Sequence, residues 1–244
     1  MKLLALDTST DACSAAVLVE GAVMESYELA PRRHAALILP MIEIVLAEAG
    51  VGVVQLDAIA FGRGPGAFTG VRVAAGIAQG IAFAADLPVV PISTLAALAL
   101  GAARETGHVQ IAAALDARMG EVYAAHDTKL QRPDARMGEI YWGTYTVTME
   151  MAQMIGEERI CPPQAATAPP GNWFGVGSGW RVYAAILRQR LAVGDWLGEC
   201  LPHAGDVARL AADPRRRGEW VSAERALPVY LRDEVASKPR ATLS

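Results

Sequence analysis

Asp7 and Asp116 each close a short apolar run, in Ala5-Leu6-Asp7 and Ala114-Leu115-Asp116. Two carboxylates at strand ends facing a shared cleft could hold a metal-bound nucleotide. A second requirement of such chemistry, backbone N–H groups aimed at an anion, is offered by Gly62-Arg63-Gly64-Pro65-Gly66-Ala67-Phe68-Thr69-Gly70 between a strand and a helix. The loop is not a P-loop, because Val71-Arg72 stands where the phosphate-reaching lysine would be. Glycines there also suit a tight turn and close helix packing, and the residues leave both readings open. Thr8-Ser9-Thr10 and Ala117-Arg118-Met119 put side chains where phosphates would approach, and an aspartate in such a place can instead cap a turn. Asp7, Gly64, Gly66, Asp116, Gly177 and Gly179 are therefore candidates for a vestigial phosphate site, with no cofactor and no catalytic residue expected.

Other chemistries find little support. His34, His108, His126 and His203 are never three to five residues apart, so no helical metal pair exists, and each reads as a surface or packing residue. Cys13, Cys161 and Cys200 show no CxxC spacing and read as reduced cytosolic thiols. No metal site is expected. No Gly-x-Ser-x-Gly elbow is present to support a hydrolase. The 244-residue chain is 52% hydrophobic with a net charge of −4, enough apolar material for a large core and no overall attraction to a phosphate backbone. Leu3 follows Met1-Lys2 too directly for a signal peptide, and prolines break the stretch from Leu87 to Ala103, so a cytoplasmic, membrane-free protein is expected.

The elements that position these residues alternate between strand and helix periods. Leu3 to Asp7, Cys13 to Val19 and Val23 to Leu29 read as three antiparallel strands, Ala35 to Ala49 as a helix stopped at Gly50, and Asp57 to Phe61 as a buried strand. A helix from about Thr69 to Ala85, a strand at Val89-Val90 and a helix started by Ser93 complete the unit. A second unit begins near Val109 and copies the first. An Ala-Ala pair follows each aspartate at Ala15-Ala16 and Ala124-Ala125, and Gly175-Val176-Gly177-Ser178-Gly179 repeats the glycine loop. The expected division is 1–107 and 108–214, with about 215–244 packing back on the first lobe.

Asp116-Ala117-Arg118-Met119-Gly120-Glu121-Val122-Tyr123 recurs as Asp134-Ala135-Arg136-Met137-Gly138-Glu139-Ile140-Tyr141, differing only in Val122 against Ile140. One copy alone can occupy a given strand, so the segment of about 124–141 is expected as an inserted, exposed excursion.

The helix Ala35 to Ala49 carries only Glu43 and Glu48 as charges and is apolar on two faces. Between Val71 and Ala85 the next helix is polar only at Arg72 and Gln79, and Gly76 and Gly80 leave a shallow strip on it. Either the two helices cover each other within one core, or Leu37, Ile38, Met41, Ile42, Val45, Arg72, Gly76, Gln79, Gly80 and Phe83 form a partner interface.

Asp7-Thr8-Ser9-Thr10, the run Gly64 to Arg72, Asp116 to Tyr123, Gly175 to Trp180 and Pro228-Val229-Tyr230-Leu231-Arg232 together resemble the TsaB family of tRNA threonylcarbamoyladenosine biosynthesis proteins. The resemblance implies an α/β fold of the actin-like ATPase, ribonuclease-H-like kind, with two similar lobes of mixed sheets flanked by helices. It implies a non-catalytic partner that binds and stabilises the catalytic subunit TsaD through its first two helices, with the ATPase TsaE as third component. Contact with tRNA would come only through the complex, and the free chain could form a homodimer. The duplicated block departs from the family pattern, which has one copy. An actin-like ATPase or kinase acting on a small molecule, or a metallopeptidase, is the alternative; bound ATP with magnesium, or retained zinc or iron, would reveal either.

Overall fold

The computed structural model describes residues 1–117, 138–148, 151–213 and 218–231. Among them two five-stranded sheets are built on one plan. In the first, β1 (Lys2–Asp7), β2 (Ala12–Val19) and β3 (Ala22–Leu29) run antiparallel, and β1 pairs in parallel with β4 (Ala58–Gly62), which pairs with β5 (Val89–Ile92). The strand order is β3-β2-β1-β4-β5. In the second, β6 (Gln110–Asp116), β7 (Ile140–Thr148) and β8 (Met151–Cys161) run antiparallel, and β6 pairs in parallel with β9 (Phe174–Val176), which pairs with β10 (Trp196–Leu197). Asp7 and Asp116 end the equivalent central strands β1 and β6, and the repeat expected from the sequence is the observed topology.

The strands carry the pattern their places require. β1 and β4 lie centrally with both faces covered, and their apolar runs are buried almost throughout. β3 lies at an edge, and its burial nearly alternates.

The helices fall into three layers. α1 (His34–Ala49) and α2 (Phe68–Ala85) cover one face of the first sheet, sharing a core with Leu4, Leu6, Val17, Ile59 and Phe61. α1 stops where Gly50 takes a left-handed φ of 62° and returns its N–H to the last turn. α4 (Ser178–Leu191) covers the outer face of the second sheet around Trp142 and Trp180. Between the sheets lie α3 (Thr94–Thr106), packed on β6 and β7, and α5 (Ala204–Ala211), packed on β1 and β2. Each thus docks on the sheet formed by the other half of the sequence, and Leu95, Leu98, Val207 and Leu210 join Leu3, Ala5, Ile111 and Val176 in one core. Leu95 to Leu100 are almost wholly buried, as an interlayer helix must be. Ser93 caps α3, its Oγ accepting from the Ala96 N–H at 3.2 Å.

The segment 218–231 returns to the first sheet: Val221 bridges Val89, Ala223 and Ala226 enter the core, and the Val229 N–H donates to the Arg63 carbonyl at 2.8 Å. α2 alone among the described helices is long and apolar enough to cross a membrane, but Val71, Ala74, Ala75, Ala78 and Ala82 are packed inside the protein.

The register of β6 and β7 settles which copy of the duplicated block forms the strand. Asp116 pairs with Ile140 and Leu115 with Tyr141, as Asp7 pairs with Ser14 and Leu6 with Ala15. β7 therefore begins in the second copy, and the counterparts of Ala15-Ala16 are Tyr141 and Trp142. The expected match with Ala124-Ala125 is replaced by this pairing. Most of the excursion expected over 124–141, and His126 with it, lies outside the described residues.

Candidate functional sites: a closed glycine loop and an open helix face

The glycine loop after β4 is closed against the turn after β1. A Cβ built on Gly66 would stand 2.4 Å from the Ser9 carbonyl oxygen, and one on Gly70 would stand 2.0 Å from that of Thr8. The contact is held by hydrogen bonds, from the Ala67 N–H to the Ser9 carbonyl at 2.7 Å and from the Thr8 hydroxyl to the Gly70 carbonyl at 2.7 Å. The Thr8-Ser9 backbone thus occupies the side of the loop that Gly66 and Gly70 leave open. Gly64 serves differently, with a left-handed φ of 102°. The second loop repeats the arrangement. Gly177 has φ 99° and abuts the Ala114 carbonyl, Gly179 abuts Ala114 Cβ, and the Asp116 N–H donates to Ser178 Oγ at 3.0 Å.

Asp7 does not face an open cleft as expected. Its side chain is enclosed, Oδ1 accepts from the Ser9 N–H at 2.9 Å and the Ser9 hydroxyl at 2.7 Å, and Oδ2 has no partner. A Cβ on Gly62 would fall 1.9 Å from that oxygen and 3.5 Å from Thr94 Oγ1, which also lacks a partner. Burial raises the Asp7 carboxyl to about 6, against the opposing pull of the Ser9 bonds. Open space lies beside the start of α2, a cavity of about 770 Å³ lined by Asp11, Arg32, His34, Ala67, Thr69 and Gly70.

Glu158 on β8 ties the loop to the second sheet and has no recognisable signal in the sequence. Its nearly buried carboxylate accepts the hydroxyls of Ser93 and Tyr145 and stands 3.8 Å from the Arg63 guanidinium. Burial, then the charge of Glu158, pushes the Tyr145 hydroxyl well above its ordinary range. His203 stacks on Tyr27 and meets Glu25 at 3.2 Å, and His108 stacks on Phe174, both packing roles as expected. Cys13, Cys161 and Cys200 are free thiols.

The outward faces of α1 and α2 divide the expected interface residues. Arg72, Gly76, Gly80 and Phe83 are exposed, Phe83 at 74%, while Leu37 and Gln79 are half-buried. A Cβ on Gly76 or Gly80 would meet nothing within 4 Å. Ile38, Met41, Ile42 and Val45 are corrected: at helical spacings of three and four they form the inner stripe of α1 and are buried in the chain's own core. The outer face of α1 instead presents Leu39, Pro40 and Ile44 beside Glu43. Glu43 was the available signal, since a charge on a sheet-packed helix marks the side facing water.

Over 98% of its length the chain is 43% identical to the tRNA threonylcarbamoyladenosine biosynthesis protein TsaB of Haemophilus influenzae, covering 96% of that protein. The chain belongs to the TsaB family. The TsaB protein of Escherichia coli K12 is 40% identical over 98% of the chain and 97% of its own length. Residues 26–194 also match the family model of TsaD, tRNA N6-adenosine threonylcarbamoyltransferase. YeaZ from Pseudomonas aeruginosa superposes with a TM-score of 0.81 at 46% identity, covering 94% of this chain and 99% of that one. The actin-like two-lobed α/β fold implied by the TsaB resemblance accords with that likeness and with the two matched sheets.

Proposed function

We propose that the chain is a non-catalytic cytoplasmic subunit of the assembly that transfers threonylcarbamoyl to the adenosine next to the anticodon of tRNA. It binds and stabilises TsaD through the outward face of α1 and α2, with TsaE as third component, and meets tRNA only within the complex. Without TsaD the same face pairs with a second copy of the chain. The observation that carries this reading is the open strip of α2, where Gly76 and Gly80 lie bare beside exposed Phe83 on the same face. The glycine loop supports the non-catalytic part, because Gly66 and Gly70 are used to admit the Ser9 and Thr8 backbone.

The test is to measure binding of purified TsaD to Gly80→Arg by calorimetry, alongside its melting curve. An unpaired arginine buried between packed helices costs roughly several kcal/mol, enough to weaken a micromolar complex by orders of magnitude. The melting curve should hold, because the side chain enters open space. Unchanged binding by the folded variant overturns the interface, and ATP hydrolysis by the purified chain alone overturns the non-catalytic assignment.

A further inference from the structure

The exposed stripe of α2 does not end at its glycines. Phe68, Arg72, Gly76, Gly80 and Phe83 recur at helical spacing along it, and the returning segment 218–231 places Tyr230 against its first turn. There the Arg72 guanidinium carbon lies 3.2 Å from the centre of the Phe68 ring and 4.8 Å from that of Tyr230. One N–H of the same group donates to the Phe68 carbonyl at 3.0 Å. Both rings remain partly open to solvent, Phe68 at 58% and Tyr230 at 46%.

Arg72 differs from the arginines that form ion pairs. Arg33, Arg63, Arg104, Arg181 and Arg209 each meet a carboxylate, whereas Arg72 makes no ion pair among the described residues; Arg188 also stacks, on Trp196 at 5.0 Å, but only Arg72 is held by two rings. Stacking engages the face of a guanidinium and leaves its edge, the part whose fork of donors matches a carboxylate. A side chain held by two rings has also lost much of the rotamer freedom that normally weakens an exposed ion pair. The group is a pre-organised cation without its anion, one turn from the bare floor at Gly76, where a second helix can come close.

We propose that Arg72 is the polar anchor of this face and takes an Asp or Glu carboxylate carried by a helix of the partner laid across Gly76 and Gly80. In this arrangement Tyr230 is a positioning residue, through which the C-terminal segment sets the strength of binding. The Val229 N–H bond to the Arg63 carbonyl fixes that segment on the glycine loop, so the ring is supplied from a tethered backbone. This inference rests on the proposed role of the α1–α2 face and adds the partner chemistry and the device that prepares for it.

Four single variants, Arg72→Gln, Arg72→Lys, Tyr230→Ala and Tyr230→Phe, are compared with the wild type for affinity to TsaD by calorimetry at low and high salt, with melting curves for each. Arg72→Gln should weaken binding about ten-fold or more at low salt and flatten its salt dependence. Arg72→Lys should recover only part of the loss, since an ammonium lacks the fork. Tyr230→Ala should weaken binding about three- to ten-fold, through lost pre-organisation. Tyr230→Phe should bind as the wild type does, because only the ring is used. Wild-type affinity and salt dependence in Arg72→Gln overturn the anchor, and wild-type affinity in Tyr230→Ala overturns the positioning role. If Tyr230→Ala melts early, Tyr230→Leu keeps the packing and removes the ring face, and its affinity decides instead. Gly80→Arg belongs in the same series. Loss of binding there beside a neutral Arg72→Gln leaves the face standing without its anchor, whereas neutrality of both removes the functional reading itself.

Discussion

α2 and α4 hold the same place in the two halves of the fold, each entered from a glycine loop after a parallel strand and packed on the outside of its sheet. Their inner faces are buried with different residues, Ala74, Ala75 and Ala78 in one and Gly179, Trp180 and Leu187 in the other. Their outer faces diverge. α4 shows water Arg181, Arg188, Gln189 and Arg190 beside Val182 and Ala185, while α2, past Arg72, shows Gly76, Gly80, Phe83 and Ala84. The fold therefore does not require an apolar or glycine surface at this position. Glycines also lower helix stability relative to alanine, so the α2 surface is disfavoured by everything the isolated chain needs. A second difference points the same way: between β3 and β4 the first sheet gains α1, whereas between β8 and β9 there is only a short 3-10 turn at Pro163–Ala165. Among the described residues the first half presents two adjacent helices outward and the second presents one.

The largest expected effect breaks this comparison directly. Placed on α2 as Gly80→Arg, an arginine should abolish TsaD binding; placed on the exposed side of α4 as Ala185→Arg, it should leave binding unchanged, with both proteins melting like the wild type. Equal losses would mean that the two helix faces do not differ in function.

Within α2 the glycines themselves divide. Gly70→Ala drives a methyl to within 2.0 Å of the Thr8 carbonyl and must push the β1–β2 turn off the loop, which should cost roughly 3 kcal/mol in urea unfolding. Gly80→Ala meets open space and should stabilise the isolated chain by about 0.5–1 kcal/mol. A benign Gly70→Ala would show that the loop is not clamped by the turn, and would reopen the phosphate reading.

Much of this division was legible in the sequence, and the reasons it stopped are physical. Periodicity and turn residues place α1, α2 and the first five strands within a residue or two, because local pattern decides them. The repeat of Asp7 and Asp116 with their glycine loops foretells the matched sheets. Whether Gly66 cradles an anion or admits Ser9 depends on the approach of two loops distant in sequence, and spacing carries no record of that distance. The same limit hid the exchange of α3 and α5 between sheets and the meeting of Ser93, Tyr145 and Arg63 on Glu158. On α1 the two apolar stripes look alike, and only Glu43 distinguishes the buried Ile38, Met41, Ile42 and Val45 from the open Leu39 and Ile44.

Asp7, enclosed at the end of β1, makes stability depend on pH. Its folded form titrates at about 6 and its unfolded form near 3.8, so the native state binds the extra proton between those values. Its contribution to stability is fully present below about pH 4 and is lost as the pH rises through about 6. Asp7→Asn keeps an oxygen for the Ser9 N–H and hydroxyl and puts an amide where Oδ2 has no partner. It should stabilise the protein at pH 7 by roughly 2–3 kcal/mol, with the gain vanishing near pH 4 when melting curves are compared across that range. A loss of stability at pH 7 would mean that the buried charge has a partner the fold needs.

The smallest effect is expected from removing one copy of the duplicated block, which tests how far the two hairpins are equivalent. In the first sheet, Thr8 to Asp11 join β1 to β2 directly. In the second, β6 ends at Asp116 in the first copy and β7 begins at Ile140 in the second, with Ala117 donating its N–H to the Glu139 carbonyl at 3.0 Å where the two strands separate. Deleting residues 124–141 joins Tyr123 to Trp142, so Val122 and Tyr123 take the places of Ile140 and Tyr141 opposite Asp116 and Leu115. The buried Ile140 becomes a valine, a loss of one methylene worth about 1 kcal/mol, partly offset by the lower closure entropy of a shorter loop. The trimmed chain should therefore melt within a few degrees of the parent and bind TsaD with unchanged affinity, since the α1–α2 face belongs to the other sheet. An insoluble product would show that the second copy does more for the core than the register of β6 and β7 requires.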